Sequence, residues 1–342
     1  MKSVFAAGLQ PDQEISASFL VEYKEVRQKR TGEPYLVLTL ADKTGTLDAK
    51  MWDNAAPVAN AFDKDDFVEV KGTVQVFQNR IQLTVQKLKK LRDEEVNLAD
   101  YLRASKRDAE EMFRELRAMT AAMRDADLRA LLDAVLDDPE IGPAFRTAPA
   151  AKSIHHAYLS GLLEHVLAMA NIAARIAPLY PHVDADLLLA GVVLHDIGKT
   201  RELTYRRSLG YSTEGQLLGH IHIGLAMVAE KLRGIPGFPP KKRMLLEHLI
   251  LSHHGTLEFG SPKLPQCAEA MLLHQIDALD SRMEAMRAAV ENDDHQGEWT
   301  GFIGALERSV LKKDQFLMEP AAPAPPAAPA PLAEQLAKAW RR

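Results

Sequence analysis

The chain has 342 residues, 26% charged and 46% hydrophobic, with 47 acidic against 42 basic side chains and a formal charge of −5. That length holds two domains with separate cores. The charge lends nothing to nucleic-acid binding, which would have to rest on a local basic surface. The single cysteine, Cys267, excludes an intramolecular disulfide and a cysteine-built zinc cluster, and is expected in a core or on a helix surface. Acidic residues cut the N-terminal apolar patch too short for a signal peptide. No stretch reaches the run of about 18 apolar residues that a membrane span needs, so a cytoplasmic protein without a membrane partner is expected.

Residues 13 to 92 read as strands. The first runs long, from Glu14 to Val26. Tyr35 to Leu40 and Gly45 to Trp52 flank the turn Asp42-Lys43-Thr44-Gly45, and a short helical piece follows at Asn54 to Phe62. From Asp66 to Phe77, Val68, Val70, Val74 and Val76 alternate with Glu69, Lys71, Thr73 and Gln75, the period of a half-buried strand. Gln78-Asn79 makes a tight turn before Ile81, Leu83 and Val85 resume that period. Five strands with this interruption predict an OB-type β-barrel. Such barrels hold single-stranded nucleic acid by stacking bases on aromatics in a basic groove. Tyr23, Tyr35, Trp52 and Phe77, near Lys24, Lys50, Arg80 and Lys87, are the candidates here, although closing the barrel core is the commoner fate of any one aromatic.

Lys87 to Asn97 reads as a charged connector. Leu98 to Val135 is helical, with Met112, Phe113, Leu116, Met119 and Met123 as a core stripe, and Pro139, Pro143 and Pro149 break the pattern. From 152 to about 312 the pattern is all helical, with helices near 157–176, 184–197, 218–232, 241–254 and 266–291. A Pro/Ala run after Glu319 is expected to be an extended, disordered spacer, and LAEQLAKAWRR at the end to form a short amphipathic helix. The expected plan is a multidomain α and β protein: a five-stranded barrel over 1–92, a helical linker region over 93–150, an all-α domain over 151–318 and a tail over 319–342.

The helical domain is organised around Leu187 to Lys199, LLLAGVVLHDIGK. An apolar run suited to a buried helix ends in His195 and Asp196. Neighbours on a helix point about 100° apart, yet both can grip one cation placed beyond the helix end. Gly198 stands where a helix C-terminus favours glycine. Lys199 can reach the same opening and meet an anion, or serve as a helix C-terminal charge. His165 in GLLEHV, His220 in GHIHIG, His253-His254 in LSHHG and Asp277 in HQIDALD are likewise set among apolar residues at helical spacing. One buried histidine is ordinarily a hydrogen-bonded core residue. Several with two aspartates are costly to bury unpaired, and a divalent cation is their simplest common partner.

The order H…HD…H…H…D resembles the HD-domain metal-dependent phosphohydrolases. The stretches IHHAYLSGLLEHVLAMA, HDIGK, GHI, LILSHHG and EAMLLHQIDALDSRM resemble the bacterial 3′→5′ exoribonucleases of the YhaM type, which also place an OB domain ahead of the HD domain. The resemblance covers roughly residues 13 to 312. It implies that His165, His195, Asp196 and Asp277 hold one metal, and that His220 and His253 add a second with Asp196 bridging. His254 would be a third ligand there or a phosphate contact. His222 lies about 200° round the helix from His220, so only one of them can serve, and His220 is preferred. His155 and His156 would contact substrate, or else cap or pack a helix start. Asp196 and Lys199 would be catalytic, the lysine stabilising charge on the attacked phosphate.

A mixed imidazole and carboxylate set admits Mn²⁺, Fe²⁺, Co²⁺, Ni²⁺ or Zn²⁺; the resemblance implies Mn²⁺ and a two-ion centre that activates water and neutralises phosphate. The expected function is a metal-dependent 3′→5′ exoribonuclease releasing nucleoside monophosphates from single-stranded RNA, with single-stranded DNA a second candidate substrate and a homo-oligomer compatible with the sequence. Two other readings stand beside it. An HD phosphohydrolase for small nucleotides would need no strand-binding barrel. A non-catalytic nucleic-acid-binding protein with a structural metal would need no spare lysine at the site.

Overall fold

The computed structural model describes residues 2–77, 80–152, 156–205, 209–293 and 295–318. Its N-terminal strands are β1 (Glu14–Gln28), β2 (Pro34–Asp42), β3 (Gly45–Met51), β4 (Phe67–Phe77) and β5 (Arg80–Lys90). They form a closed barrel in the order β1-β2-β3-β5-β4, with α1 (Ala55–Ala59) between β3 and β4. Among the described barrel strands, only β3 and β5 pair in parallel. This is the OB barrel that the strand pattern predicts. Period-two alternation sends Val68, Val70 and Val74 inward, where they are fully buried with Phe19, Leu36, Leu38, Leu40, Phe62 and Leu83. Val76 departs from the pattern and is 54% exposed near the end of β4. The Gln78-Asn79 turn lies outside the described residues. The expected charged connector is shorter than its composition suggests, because Lys87 to Lys90 continue β5 and pair with β4.

A small apolar cluster of Leu20, Phe67, Tyr101, Leu102 and Leu159 joins the barrel to the helical part of the chain. The Tyr101 phenol donates to Ser18 Oγ at 2.6 Å, and Lys43 pairs with Asp100 at 3.1 Å. The helices are α2 (Ala109–Ala121), α3 (Ala126–Leu136), α4 (Ile141–Thr147), α5 (Gly161–Ile176), α6 (Ala185–Leu194), α7 (Lys199–Glu202), α8 (Thr213–Arg233), α9 (Pro240–Ser252) and α10 (Ala268–Glu291). Asp108, Asp125, Asp184 and Ser212 accept N–H bonds from the first turns of α2, α3, α6 and α8, satisfying donors that a helix start leaves free. Helix α6 is apolar almost all round, and Leu187, Leu188 and Val192 to Leu194 lie in the core.

Several expected boundaries move. The stretch 98–135 is not one helix: a 3₁₀ turn and a loop precede α2, and Asp125 starts a new helix at α3. The prolines do not abolish structure at 139–149, since Pro143 falls in the first turn of α4, where its missing N–H has no helical partner to lose. The helix expected from 157 begins at Gly161. The domain is not purely helical, because strands β6 (Leu203–Thr204) and β7 (Gly210–Tyr211) make a small hairpin after α7. Residues Gly161–Leu179 form one 19-residue stretch apolar and long enough by composition to cross a membrane. Here that stretch belongs to the protein core, with Leu162, Leu163, Val166 and Met169 fully buried in it. Residues Met1–Ala288 form one compact unit and a second starts at Ala289. In the second, Lys312 is buried against Asp293 at 2.8 Å. The Pro/Ala run and the terminal segment lie outside the described residues.

Candidate metal centre

Two helices end in the same way. His195 caps α6 and His253 caps α9, and each ring bonds through Nδ1 to a carbonyl three residues back: Val192 O at 2.9 Å and Ile250 O at 2.7 Å. A carbonyl only accepts, so Nδ1 carries a hydrogen, and Nε2 is the atom that offers a lone pair when the ring is neutral. The helix end gains a partner for an orphan carbonyl, and the ring is locked with its lone pair facing inward. His220 on α8 is held through Nδ1 by Glu202 Oε1 at 3.1 Å, and the same oxygen accepts the His220 backbone N–H at 2.9 Å. His165 on α5 is held through Nδ1 by Asp280 Oδ2 at 2.7 Å. Each imidazole thus has the outer-shell carbonyl or carboxylate that metal-binding histidines use to fix tautomer and aim.

The four Nε2 atoms face the Asp196 carboxylate, which straddles two groups. Its Oδ2 lies 3.3 Å from His195 Nε2 and 3.9 Å from His165 Nε2; its Oδ1 lies 3.5 Å from His220 Nε2 and 3.7 Å from His253 Nε2. Asp277 Oδ1 is 3.3 Å from His165 Nε2. His165, His195 and Asp277 offer ligand atoms within 4.8 Å of one another, as do His220, His253 and His254. Among the buried side-chain polar atoms, His195 Nε2, His220 Nε2, His253 Nε2 and Asp196 Oδ1 have no hydrogen-bond partner. Buried groups of this kind are ordinarily satisfied. Three lone pairs and an anionic oxygen converging without a donor fit a divalent cation of the imidazole and carboxylate class.

The electrostatics match. Burial opposes charge on Asp196, but Lys199 and His195 outweigh it and hold the carboxyl well below its usual range. Burial likewise opposes charge on Asp277, but the His165 bond together with the neighbouring His195 and His165 charges outweighs it and holds the carboxyl below its usual range. His165 loses by burial and gains more from Asp277 and Asp280, so its pKa rises to about 9. His253, with burial and His195 both against its charged form, is pushed well down. Lys199 Nζ sits 2.6 Å from Asp196 Oδ2 with its side chain 13% exposed, and the carboxylate more than offsets burial in keeping it charged.

Two glycines shape the centre. Gly198 is not the left-handed helix terminator its position suggests, for its backbone is right-handed helical. What demands glycine is close approach: a Cβ there would meet the His220 carbonyl oxygen at 2.0 Å. Gly219, at φ 71°, kinks α8 one residue before His220.

His222 is exposed and away from the centre, whereas His220 faces it. His156 is 5% exposed, with Nε2 2.9 Å from Asp280 Oδ2 and Nδ1 2.9 Å from the Tyr158 hydroxyl. His155 lies outside the described residues. Sequence reasoning missed Asp280 and Glu202. Asp280 had a signal, one helical turn beyond Asp277; Glu202 had none. On the barrel, Tyr35 stacks on Trp52 with centroids 4.6 Å apart, and Lys50 Nζ lies 5.4 Å from the Trp52 ring and 5.2 Å from the Phe77 ring. These aromatics do not fill the core: Trp52 is 38% and Phe77 52% exposed, and Tyr35 is half-buried. Tyr23 is exposed too, but its hydroxyl is tied to Glu25.

An OB barrel followed by a helical bundle whose histidines and aspartates converge on an HD pair is the architecture of the HD-domain proteins that carry an N-terminal nucleic-acid-binding module. The model of the HD domain matches residues 162–282, and that of the OB-fold nucleic acid binding domain matches 24–91. The chain is 38% identical over 289 residues to a protein of Bacillus subtilis (strain 168) named 3′-5′ exoribonuclease YhaM, covering 83% of this chain and 90% of the relative. Proteins of the same name from Bacillus velezensis and from Geobacillus sp. (strain WCH70) are each 35% identical. They cover 89% and 83% of this chain, and 96% and 87% of their own lengths. The chain belongs to the YhaM family.

Proposed function

We propose that this chain is a metal-dependent 3′→5′ exoribonuclease that hydrolyses single-stranded RNA to nucleoside monophosphates, and that it also accepts single-stranded DNA. The observation that carries the reading is the convergence of unpartnered His195, His220 and His253 Nε2 atoms on Asp196, with Lys199 beside them. His165, His195, Asp196 and Asp277 would hold one cation, and His220, His253 and His254 with Asp196 a second, with Mn²⁺ the expected ion. Such cations supply the Lewis acidity that activates water and neutralises an attacked phosphate.

The chain's own residues do the rest. Asp196, shared between the two groups, fixes their spacing. Lys199, kept cationic, donates to a non-bridging phosphate oxygen when the Asp196 carboxylate is otherwise engaged. Tyr35, Trp52 and Phe77, with Lys50 between them, hold the strand by stacking and backbone attraction, which tolerates any sequence. The test is purified full-length protein with 5′-labelled single-stranded RNA, with and without Mn²⁺, beside the His195→Ala and Asp196→Ala variants and a matched DNA strand. A ladder shortening from the 3′ end only with Mn²⁺, and lost in both variants while strand binding persists, is the expected result. Shortening at the normal rate by either variant would sink the assignment, and a DNA strand left intact would remove DNA from the substrates.

A further inference from the structure

One acid outside the proposed ligand set touches more of the centre than its sequence suggests. Asp280 lies one turn beyond Asp277 on α10 and places a single oxygen, Oδ2, 2.7 Å from His165 Nδ1 and 2.9 Å from His156 Nε2. A carboxylate oxygen accepts from both rings. His156 is unusual in its own backbone, at φ 46°, and Ser160 follows at φ 64°, two non-glycine residues in the left-handed region within five positions. Such conformations persist where surrounding bonds over-determine them. Here the His156 carbonyl accepts from Ala150 N and Tyr158 N, and both ring nitrogens are engaged. Gly161 packs so tightly on this turn that a Cβ would lie 2.1 Å from the His156 carbonyl oxygen. A ring 5% exposed with both nitrogens occupied has nothing left to offer a substrate.

We infer that Asp280 is a positioning residue for the metal centre, and that His156 and Tyr158 act through Asp280 and not on the substrate. Asp280 fixes the aim of His165 from behind, on the helix that also carries Asp277, so a ligand from α5 and one from α10 keep a constant spacing. The 156–161 turn braces Asp280 from the other side, and the strain in that turn is held by the bonds that do so. The inference rests on the metal-centre reading above.

The test measures Mn²⁺ binding directly, by the EPR signal of free Mn²⁺, on full-length protein without RNA. Variants are Asp280→Asn, Asp280→Glu, His156→Ala, His156→Gln and the double Asp280→Asn/His156→Ala. Losing such an outer-shell partner costs about 10–100-fold in metal affinity. Asp280→Asn should show that loss and Asp280→Glu should recover part of it. His156→Ala should weaken binding less, and the double variant should bind no more weakly than Asp280→Asn alone. Should Asp280→Asn fail to fold, a weakening by His156→Ala, which removes one bond to Asp280, that is smaller in His156→Gln, whose amide can still donate there, supports the inference. Unchanged Mn²⁺ affinity in Asp280→Asn, or in His156→Ala together with a raised KM for RNA at saturating Mn²⁺, overturns it. His195→Ala is the control for the underlying reading: Mn²⁺ uptake unaltered in that variant would mean that the centre itself was wrongly placed.

Discussion

The barrel face and the metal centre use aromatic and charged side chains in opposite ways. Trp52 and Phe77 stand 38% and 52% exposed, and what orders them is one stacked ring and one lysine at cation–π distance. The centre's His165, His195, Asp196 and His253 are at most 2% exposed, and each of the three rings has an Nδ1 bond that sets its orientation. A stacking platform tolerates motion, because any base offers a face. A hydrolytic centre does not, because its atoms must stand where charge develops. Damage should therefore be graded and additive on the barrel and abrupt at the centre.

The largest contrast is expected from Lys199→Met. Removing one preorganised charge from a buried site costs about 10²–10³-fold in kcat, with KM for RNA little changed; single-turnover kinetics at saturating Mn²⁺ would show the split. A rise in KM with kcat intact would instead make Lys199 a binding residue. Next is Glu202→Gln. It leaves His220 in place but weakens the grip on Nδ1, so Mn²⁺ should bind about 10–100-fold more weakly while cleavage recovers at high metal. Cleavage that stayed low at any Mn²⁺ concentration would give Glu202 a role beyond holding His220. On the barrel, Trp52→Ala should cost about 1–3 kcal/mol of strand binding, the worth of one stacked base. KM should rise for long RNA and not for a dinucleotide, and equal effects on both would remove the barrel from strand binding.

The mildest test is pH dependence without metal. His165 has its folded pKa raised to about 9 from 6.5, so its stabilising effect is whole below pH 6.5 and fades as pH rises through 9. Asp196 and Asp277 are shifted downward from 3.8, so theirs is present above that value and lost as the medium is acidified further. The metal-free chain should thus be most stable between about pH 4 and 6.5. Metal uptake must displace the His165 proton, so the rise in Tm given by Mn²⁺ should grow from about pH 6 to 9. A rise in Tm that shrank over that interval would take His165 out of the ligand set.

Much of the molecule was legible before any coordinates. Alternation in β4 and β5, and the helical spacing around His165, His195 and Asp277, are local, and each comes from which face must leave water. The break between α2 and α3 was harder, since it depends on Asp186 of α6 accepting the Arg124 and Asp125 backbone N–H groups from 61 to 62 residues away. The exposed setting of Trp52 and Phe77, and the half-buried one of Tyr35, was left open by the residues, because an aromatic can close a barrel or face solvent, and register decides which.

By itself the sequence determined the order of the five barrel strands and of the long helices that follow, the apolar run that delivers His195 and Asp196 together, and a histidine set too costly to bury unpaired. Only the tertiary structure decided which acids stand behind those histidines: Asp280 is 115 residues from His165, and Glu202 is 18 from His220. It also decided that Gly198 is required by the His220 carbonyl and not by the end of its own helix. The physical reason is one of range. Periodicity and capping are set by neighbours a turn or a pleat away, whereas the aim of an imidazole is set by whatever the fold places against its other nitrogen.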